Sequence, residues 1–580
     1  MTAYFVSGPI RLFASCTGAT LSLSDILTAQ NPLGPADQLL IRDSDDATDI
    51  LTRVKPFSRA FVLGASIIIG RKGSGKTSVI CGYQAAAADH PSSHLFGEDE
   101  FLRGTFVERV ARWDQFHSMV TKVASIVCKR LPYPDAHDFL FPEEVSKVWH
   151  DVIWDYLFKR FYTFGLEQEP FPITLEPVWE FFNLESINSE DLSSVSKDAE
   201  QLTKNARGAI LQFLHDRNQK CYLLFDNMDK YPIRNEIFSK VISGFLKCIN
   251  MFNAEYDEID LIFCMPEEIE TFIKSDNLEK DYSKLHRLRW RPADLLQIVA
   301  HRYRLFIKTH QQEFYSQIKG KDFSKREQLR DLFKIMFPDD IINRLGHSEH
   351  PIAYIVRHTQ LLPRHFILVF NRILSLSQER SGNFTQIQPS YIRDGVEDIE
   401  STIAAHILAP YELIYPKLLA ACRHVLPQLP PICELPQLHR ASSQFKQRIE
   451  EEISGDPWRV LVDMGILGEV KELTESCERD KPSVEEPARR TGARQLRARA
   501  REPQADLRKS QSRYVYGAFH YNSTSVVGFE AGRVYCFHPI FSRAFGMRRP
   551  GRDLQQSVYP ANIGLFHNDD IEFWGDGLND

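Results

Sequence analysis

Residues 70–77 of the chain read Gly70-Arg71-Lys72-Gly73-Ser74-Gly75-Lys76-Thr77. The five residues before this stretch are mostly apolar and rich in isoleucine, as in a buried parallel strand: Ala65-Ser66-Ile67-Ile68-Ile69. The residues after it, 78–88, have the composition of a helix. The sequence therefore predicts a strand, a glycine-rich turn and a helix in direct succession.

This stretch fits the pattern G-x-x-x-x-G-K-[ST], the phosphate-binding P-loop. Its glycines let the main chain curl so that N–H groups face phosphate oxygens, and the helix N-terminus adds partial positive charge. We expect Lys76 to reach the β- and γ-phosphates of ATP and the Thr77 hydroxyl to ligate Mg²⁺. The predicted nucleotide-binding residues are Gly70, Arg71, Lys72, Gly73, Ser74, Gly75, Lys76, Thr77 and Ser78.

A second apolar run ends in a carboxylate. Residues 221–226 read Cys-Tyr-Leu-Leu-Phe-Asp, which predicts a buried strand that delivers Asp226 to Mg²⁺ at its carboxyl end. Asp229 follows three residues later and is predicted to orient the attacking water or accept its proton. The alternative is a strand that ends in an ordinary Asp-Asn turn.

Two weaker signals complete the predicted site. A third strand, residues 259–265, carries no polar residue at its end before Glu267, so no sensor of the γ-phosphate is evident there. Pro363 suits the first position of a helix, which places Arg364 in the first turn, where a guanidinium could reach the γ-phosphate. A plain surface arginine is the alternative. The predicted catalytic residues are Asp229 and Arg364.

Bulk composition narrows the class of protein. The 580 residues allow about three domains, and the net charge of −7 does not indicate a polyelectrolyte partner for nucleic acid as a whole. The ten cysteines form no CxxC pair and no His/Cys cluster, which favours a reducing compartment and argues against zinc. No apolar run approaches a membrane span and no signal peptide is evident. We expect a soluble cytoplasmic protein with no membrane partner.

The fold class predicted from these patterns is α/β: a P-loop core with a parallel sheet and a large helical insert, followed by mainly helical and then α+β regions. In the insert, the apolar spacing predicts helices over Val107–Arg130 and Val145–Tyr162. A helix is predicted over Leu413–Val425. Aromatic and β-branched runs at 514–521, 525–529 and 533–539, separated by turn residues, predict β-hairpins.

Four stretches, 70–78, 223–230, 288–290 (predicted as a strand) and 363–364, occur in an order that resembles bacterial P-loop ATPases of the AAA+/STAND type, near the KAP and origin-recognition-like branches. The resemblance covers roughly residues 60–380. It implies an ATPase core, a helical lid and a winged helix, and ATP-dependent switching or homo-oligomerisation. In that family such switching often serves signalling, phage defence or DNA transactions.

With this resemblance, the domain organisation is predicted as follows: a lead-in beside the nucleotide site at 1–55, the ATPase core at 56–290 with its helical insert at about 78–220, a helical lid at 291–400, a winged-helix-like domain at 401–475 and 514–548, a disordered Arg-rich linker at 476–513, and an acidic tail at 549–580.

The chain departs from the family pattern at two places. Asn227 stands where a glutamate commonly follows the Mg²⁺ aspartate, and Cys264-Met265 stand where many relatives end the sensor strand in arginine. ATP binding is therefore the firmer expectation, with hydrolysis slow. An arginine finger cannot be assigned; three arginines are candidates by their order alone, namely Arg287, Arg289 and Arg302.

Two functions from different classes remain open. The first is an ATP-binding P-loop ATPase that acts as a nucleotide-dependent conformational switch in antiphage defence or signalling, with a separate effector protein as its partner. The alternative is an origin-recognition-like, nucleic-acid-binding winged-helix protein regulated by ATP, with DNA held by Lys446, Arg448 and the run 489–513. In the alternative interpretation, the Arg-rich segment is only solvated, or the winged helix contacts protein, and the chain does not bind DNA. No guanine-reading N/TKxD motif is apparent, which favours ATP over GTP.

Overall fold

The computed structural model describes residues 23–36, 54–62, 64–87, 106–110, 113–130, 141–168, 170–187, 196–226, 236–272, 284–412, 414–449, 458–471, 514–521, 527–530, 532–548 and 556–560. The described residues fall into two compact units. The first contains the described residues from 54 to 289, and the second contains residues 23–36 and those from 290 onward. Among the described helices, none is long and apolar enough to cross a bilayer.

The helices are α1 (Leu23–Ile26), α2 (Lys55–Val62), α3 (Lys76–Ala87), α4 (Trp113–Arg130), α5 (Pro142–Glu167), α6 (Glu176–Ile187), α7 (Ser196–Asp216), α8 (Glu236–Glu255), α9 (Pro292–His310), α10 (Gln312–Ile318), α11 (Arg326–Met336), α12 (Pro351–Arg357), α13 (Pro363–Ser381), α14 (Pro389–Glu412), α15 (Leu418–Val425), α16 (Leu435–Ile449), α17 (Trp458–Asp463) and α18 (Pro539–Ala544). Short 3₁₀ turns lie at Ile173–Leu175, Glu267–Phe272 and Leu426–Gln428.

The strands are β1 (Ile67–Gly70), β2 (Phe106–Val110), β3 (Cys221–Phe225), β4 (Ile259–Pro266), β5 (Leu285–Arg287), β6 (Ile341–Ile342), β7 (Ser348–Glu349), β8 (Ile432–Glu434), β9 (Leu467–Lys471), β10 (Tyr514–Ala518), β11 (Val534–Phe537) and β12 (Ser557–Pro560).

A five-stranded parallel sheet organises the first unit, in the order β2-β3-β4-β1-β5. The P-loop strand β1 therefore pairs with β4 and β5, and β3 lies on the far side of β4. The isoleucine run and the apolar run before Asp226 form strands as predicted, and both are almost entirely buried. Their carboxyl ends meet at one edge of the sheet, where the predicted site residues follow.

One helix prediction in the insert is wrong at its start. Residues 106–110 form β2, paired in parallel with β3 from Phe106–Cys221 to Val110–Phe225, and α4 begins only at Trp113. Apolar residues at 107 and 110 fit a helical spacing as well as a strand, and the pairing with β3 decides between the two. The helix predicted over 145–162 is confirmed as part of α5.

The helical insert packs against the rest of the first unit through α5, which contacts α8. Trp149 is fully buried on α5 and its indole N–H donates to the Val241 carbonyl of α8 at 2.8 Å. The two helices approach closely because Gly244 has no side chain, since a Cβ there would come within 2.5 Å of Val145 Cβ. Each large side chain buried in this way contributes about 1.5–3 kcal/mol. The insert thus forms much of the core of the first unit.

The second unit includes part of the predicted lead-in. Arg302 on α9 is buried and donates to the carbonyls of Leu33 at 3.0 Å and Pro35 at 3.2 Å. Asn371 on α13 accepts from the Leu33 N–H and donates to the Gly34 carbonyl. The lead-in predicted for 1–55 is therefore divided, because residues 23–36 belong with the helices that follow residue 290.

The second sheet has the order β12-β10-β9-β11-β8. The β-hairpins predicted from 514–521, 525–529 and 533–539 are wrong, because residues 527–530 form no strand, and β9 lies between β10 and β11 and pairs antiparallel with both. β12, within the predicted acidic tail, adds in parallel to β10. Local turn residues favoured a hairpin, but a strand from earlier in the chain takes the central place.

Two other predicted elements are shifted. The strand expected at 288–290 is β5 at 285–287, although the Leu288 N–H still donates to the Ile69 carbonyl at 2.8 Å. The helix expected over 413–425 is shorter, because α14 runs to Glu412 and α15 begins at Leu418. Asn227, Asp229 and the segment 476–513 lie outside the described residues.

Candidate phosphate-binding site

The P-loop forms a tight turn between β1 and α3. Gly73 and Gly75 have φ angles of 86° and 91°, a region that favours glycine. The Ser74 N–H donates to the Arg71 carbonyl at 3.0 Å and closes the turn. At Gly70 a Cβ would collide with the Ser74 side chain, so the first glycine of the motif is needed for close packing. The predicted loop residues are thus brought together as the motif requires.

The inside of this turn presents main-chain donors. The N–H groups of Gly73, Gly75, Lys76 and Thr77 donate to no residue within the described part of the chain. Further along α3, the Val79 N–H makes a helical bond to the Gly75 carbonyl at 3.1 Å. Unpaired N–H groups at the start of a 12-residue helix form a concentration of partial positive charge. An anion with several oxygens is the natural acceptor for such a set.

The Lys76 ammonium lies over the loop. It donates to the carbonyl oxygens of Gly70 at 2.6 Å and Arg71 at 3.1 Å. These bonds hold a full positive charge beside the unpaired N–H groups. A phosphate oxygen would offer the ammonium a charge-assisted bond, which is stronger than a bond to a neutral carbonyl.

The two predicted metal ligands lie side by side. The Thr77 hydroxyl donates to Asp226 Oδ2 at 2.9 Å, although the two residues are 149 positions apart. Asp226 follows β3, is 4% exposed, and reaches Thr77 because β3 and β1 end at the same edge of the sheet. A carboxylate and a hydroxyl beside a phosphate-binding turn are hard oxygen ligands that suit Mg²⁺.

Glu268 was not predicted from the sequence and lies against the P-loop. Its Oε1 accepts a hydrogen bond from the Lys72 main-chain N–H at 2.8 Å, and the residue is 6% exposed. Its Oε2 is buried and has no hydrogen-bond partner among the described residues. A carboxylate therefore takes one N–H of the loop and places negative charge where phosphate is predicted to bind.

Two ion pairs hold the turn that carries this carboxylate. Glu270 pairs with Arg287 through bonds of 2.6 and 2.5 Å, and Glu267 pairs with Arg289 through bonds of 2.9 and 2.5 Å. Glu268 lies between these two glutamates in the 3₁₀ turn after β4. The turn is thereby linked to β5 and to the residues that follow it.

The three arginines considered for a finger are all engaged. Two of them form the pairs just described, and Arg302 is buried in the second unit. Burial lowers the pKa of Arg302 to about 10. In the described residues these side chains therefore have structural partners, and none is assigned to a neighbouring subunit's nucleotide.

The sensor position is apolar, in agreement with the sequence. Cys264 and Met265 are fully buried at the end of β4, and Cys264 Sγ lies 3.8 Å from the Lys76 carbonyl oxygen. Below the loop, the ring of Tyr83 on α3 lies 5.6 Å from that of Tyr222 on β3. Burial raises the pKa of Tyr222 to about 12, so this contact is uncharged. These contacts seat α3 on the sheet.

Arg364 lies in the first turn of α13, as its neighbour Pro363 predicted, and α13 belongs to the second unit. Its role toward a γ-phosphate stays a prediction. Asp229 falls outside the described residues, so its role stays a prediction as well. The sequence signal that could have directed attention to Glu268 is the pair Glu267-Glu268 directly after the strand next to β1.

Comparison with known proteins finds similarity only to solved structures, and at low sequence identity. No protein-family model matches the chain, and no curated protein matches its sequence. Among solved structures, ORC2 of Aeropyrum pernix in its ADPNP-ADP complexes is 11% identical, with 72% of this chain and 86% of that chain covered and a TM-score of 0.30. Cdc6p of Pyrobaculum aerophilum is 12% identical, with 74% and 92% covered and a TM-score of 0.28. These values do not establish a family for the chain.

Proposed function

We propose that the chain binds ATP with Mg²⁺ at the P-loop and acts as a nucleotide-dependent conformational switch. The observation that supports this most is the group of P-loop N–H donors, including those of Gly73, Gly75, Lys76 and Thr77, that have no acceptor among the residues the structure describes. The Lys76 ammonium lies beside this set. A polyphosphate supplies acceptor oxygens for all of them and neutralises the local positive charge.

Magnesium is proposed on the basis of the Thr77–Asp226 pair, whose oxygens would hold the ion. When bound, Mg²⁺ supplies positive charge that neutralises the β- and γ-phosphate oxygens. Asp226 would hold its side of the ion from the end of β3, and Thr77 from the start of α3. The same pair keeps the P-loop and β3 in register across the intervening strand β4.

Switching is proposed on the basis of Glu268. Bringing a polyphosphate into the loop places several negative charges next to a buried carboxylate that already occupies the Lys72 N–H. Repulsion in a poorly solvated site is strong, so nucleotide binding favours displacement of Glu268. Its turn is tied to Arg287 and Arg289, and the chain passes from Arg289 directly into the second unit. Displacement of the turn is thereby transmitted to β5 and the residues after it.

We expect the chain to hydrolyse bound ATP slowly. Asn227 replaces the usual glutamate after the metal aspartate, and Asp229 is the residue predicted to act on water. The nucleotide state of the loop, rather than rapid turnover, would then set the conformation. Defence or signalling, homo-oligomerisation and a separate effector protein stay predictions from the resemblance.

The test is binding of a fluorescent ATP analogue to the full chain with Mg²⁺. Lys76→Ala should weaken binding about 100-fold, because it removes a charge-assisted contact in a partly buried site. Lys129→Ala, an exposed lysine on α4, is the matched control and should bind like wild type. Equal affinity of the Lys76→Ala variant and wild type would refute the proposed site.

A second candidate function is nucleic-acid binding by the second unit. The order α15, β8, α16, α17, β9, β10, β11 is helix, strand, two helices and three strands, with β11 between β8 and β9 and β10 on the other side of β9. The helices followed by paired antiparallel strands support a winged-helix arrangement. Lys446 and Arg448 are exposed in the last turn of α16. Fluorescence anisotropy with duplex DNA should show affinity that falls steeply with salt, and no binding at low salt would exclude this function.

A further inference from the structure

The second unit contains a large cavity that the P-loop chemistry does not use. Its volume is about 1050 Å³, which is at the upper end of the range for small-molecule sites. It is bounded by the end of α12, by α14, α16 and α18, and by the strands β8 and β12. Part of its wall is apolar and includes Leu345, which is 36% exposed, and the pair Pro430-Pro431.

The charged residues of the cavity leave an excess of positive charge. Arg344 and Arg543 both pair with Glu397, the latter at 2.8 Å. Arg440 and Arg548 also line the cavity and form no ion pair with any residue that the structure describes. In all, five arginines and three glutamates, Glu434 among them, line the cavity. Among the described residues, Glu397 pairs with two of these arginines, and Arg440 and Arg548 have no carboxylate partner. Guanidinium groups in such a setting match the oxygens of phosphate in geometry and charge.

The floor of the cavity carries a buried polar pair. Glu400 and His358 are 4% and 6% exposed, and His358 Nε2 lies 3.4 Å from Glu400 Oε1. His358 Nδ1 lies 2.7 Å from the Tyr354 carbonyl and must donate to it, which leaves Nε2 as an acceptor. Glu400 Oε2 has no hydrogen-bond partner among the described residues and lies 3.7 Å from Arg543.

Burial determines the protonation state of Glu400 and His358. It raises the pKa of Glu400 to about 8 and holds the pKa of His358 well below its usual range. Both side chains are therefore neutral near neutral pH, and the carboxyl group can donate as well as accept. The neutral pair Glu400 and His358 and the arginines Arg440 and Arg548 together suit a ligand that has a polar uncharged part and an anionic part.

We infer that this cavity is a second ligand site, which binds a phosphorylated organic molecule of nucleotide size. Its phosphate contacts Arg440 and Arg548, its uncharged polar edge contacts Glu400, and its ring lies on the wall formed by Leu345 and the two prolines. The inference is independent of the P-loop, because the cavity is built from the second unit alone.

The test uses calorimetric titration of the full chain carrying Lys76→Ala, which should weaken nucleotide binding at the P-loop. The probes are adenosine 5′-monophosphate, ribose 5-phosphate and inorganic phosphate. We expect the monophosphate to bind best, and Arg440→Ala/Arg548→Ala to weaken it at least about ten-fold. The control Arg423→Ala/Lys308→Ala removes two exposed cations outside the cavity and should leave affinity unchanged.

Circular dichroism of each variant verifies that it is folded. Three outcomes would overturn the inference: no heat with either phosphorylated organic probe at millimolar concentration, equal affinity of the Arg440→Ala/Arg548→Ala variant and its parent, or inorganic phosphate binding as tightly as the monophosphate.

Discussion

Glu268 accepts a hydrogen bond from the Lys72 main-chain N–H at 2.8 Å, across 196 positions of sequence. The contact joins the turn after β4 to the P-loop. It places a buried carboxylate at the site where the sequence predicts a polyphosphate. Because like charges repel strongly in a poorly solvated site, this contact and bound nucleotide oppose each other.

Removal of the Glu268 charge should tighten nucleotide binding. Glu268→Gln keeps a side-chain oxygen for the Lys72 N–H but removes the negative charge, so we expect the affinity for ATP to rise about three- to ten-fold. The measurement is titration with a fluorescent ATP analogue at low and moderate salt. Glu176→Gln, a surface change on α6, serves as the control. Unchanged or weaker binding by Glu268→Gln would show that the carboxylate does not oppose the nucleotide.

Loss of either proposed Mg²⁺ ligand, Thr77 or Asp226, should weaken the effect of Mg²⁺ on ATP binding. Asp226→Asn and Thr77→Ala should each reduce the gain in ATP affinity that Mg²⁺ provides, because each removes a hard oxygen ligand. Binding in EDTA should change little. The measurement compares affinities with Mg²⁺ and with EDTA, and Thr121→Ala on α4 is the control. If the gain from Mg²⁺ persists in both variants, the ion is held elsewhere.

Two glycines in helices of the first unit should respond oppositely to alanine. A Cβ on Gly244 would meet Val145 within 2.5 Å, so Gly244→Ala should lower the free energy of unfolding by about 1–3 kcal/mol. A Cβ on Gly208 of α7 would have no neighbour within 4 Å other than its own stretch of helix, so Gly208→Ala should be neutral or add up to about 1 kcal/mol. Urea unfolding measures both. Similar losses in the two variants would contradict the close packing of α5 on α8.

Glu400 should make stability depend on pH. Its pKa is about 8 in the folded protein against an ordinary 4.5, because burial disfavours the carboxylate. The folded state then keeps a proton that the unfolded chain releases, so this contribution is complete below about pH 4.5 and is lost as pH rises towards about 8. The charged and titratable groups around it are Arg543, Arg357, Glu397, Arg344 and His358.

The measurement is Tm from about pH 5 to about pH 8 for wild type and Glu400→Gln. Wild type should lose stability relative to the variant as pH rises, and the difference isolates Glu400 from the buried histidines, whose lowered pKa values act in the opposite direction. Parallel curves for the two proteins would contradict the raised pKa.

Local sequence predicted the elements of the phosphate-binding turn but not its neighbour. The motif at 70–77 and the apolar run before Asp226 specify their own conformations, and the parallel sheet then brings Thr77 and Asp226 together. Glu268 escaped prediction because its place depends on β4 lying directly beside β1, a choice made by the whole sheet. The pairing of β9 between β10 and β11 is non-local in the same way.

The cavity of the second unit could not be read from sequence for a related reason. Its arginines come from a turn near 344, from α16 and from the region of α18, which no local pattern connects. In the sequence Glu400 and His358 resemble ordinary helix and turn residues, and only their burial in the folded protein shifts their pKa values. Prediction therefore succeeded where one short segment carries the chemistry and failed where several distant segments share it.

Hydrogen–deuterium exchange of the P-loop amides, with and without ATP and Mg²⁺, tests the central claim most directly. The proposal predicts that bound nucleotide slows exchange at the N–H groups of Gly73, Gly75, Lys76 and Thr77, which have no acceptor in the described chain. It also predicts faster exchange at Lys72 as Glu268 is displaced. Unchanged exchange across residues 72–77 at saturating ATP would contradict it.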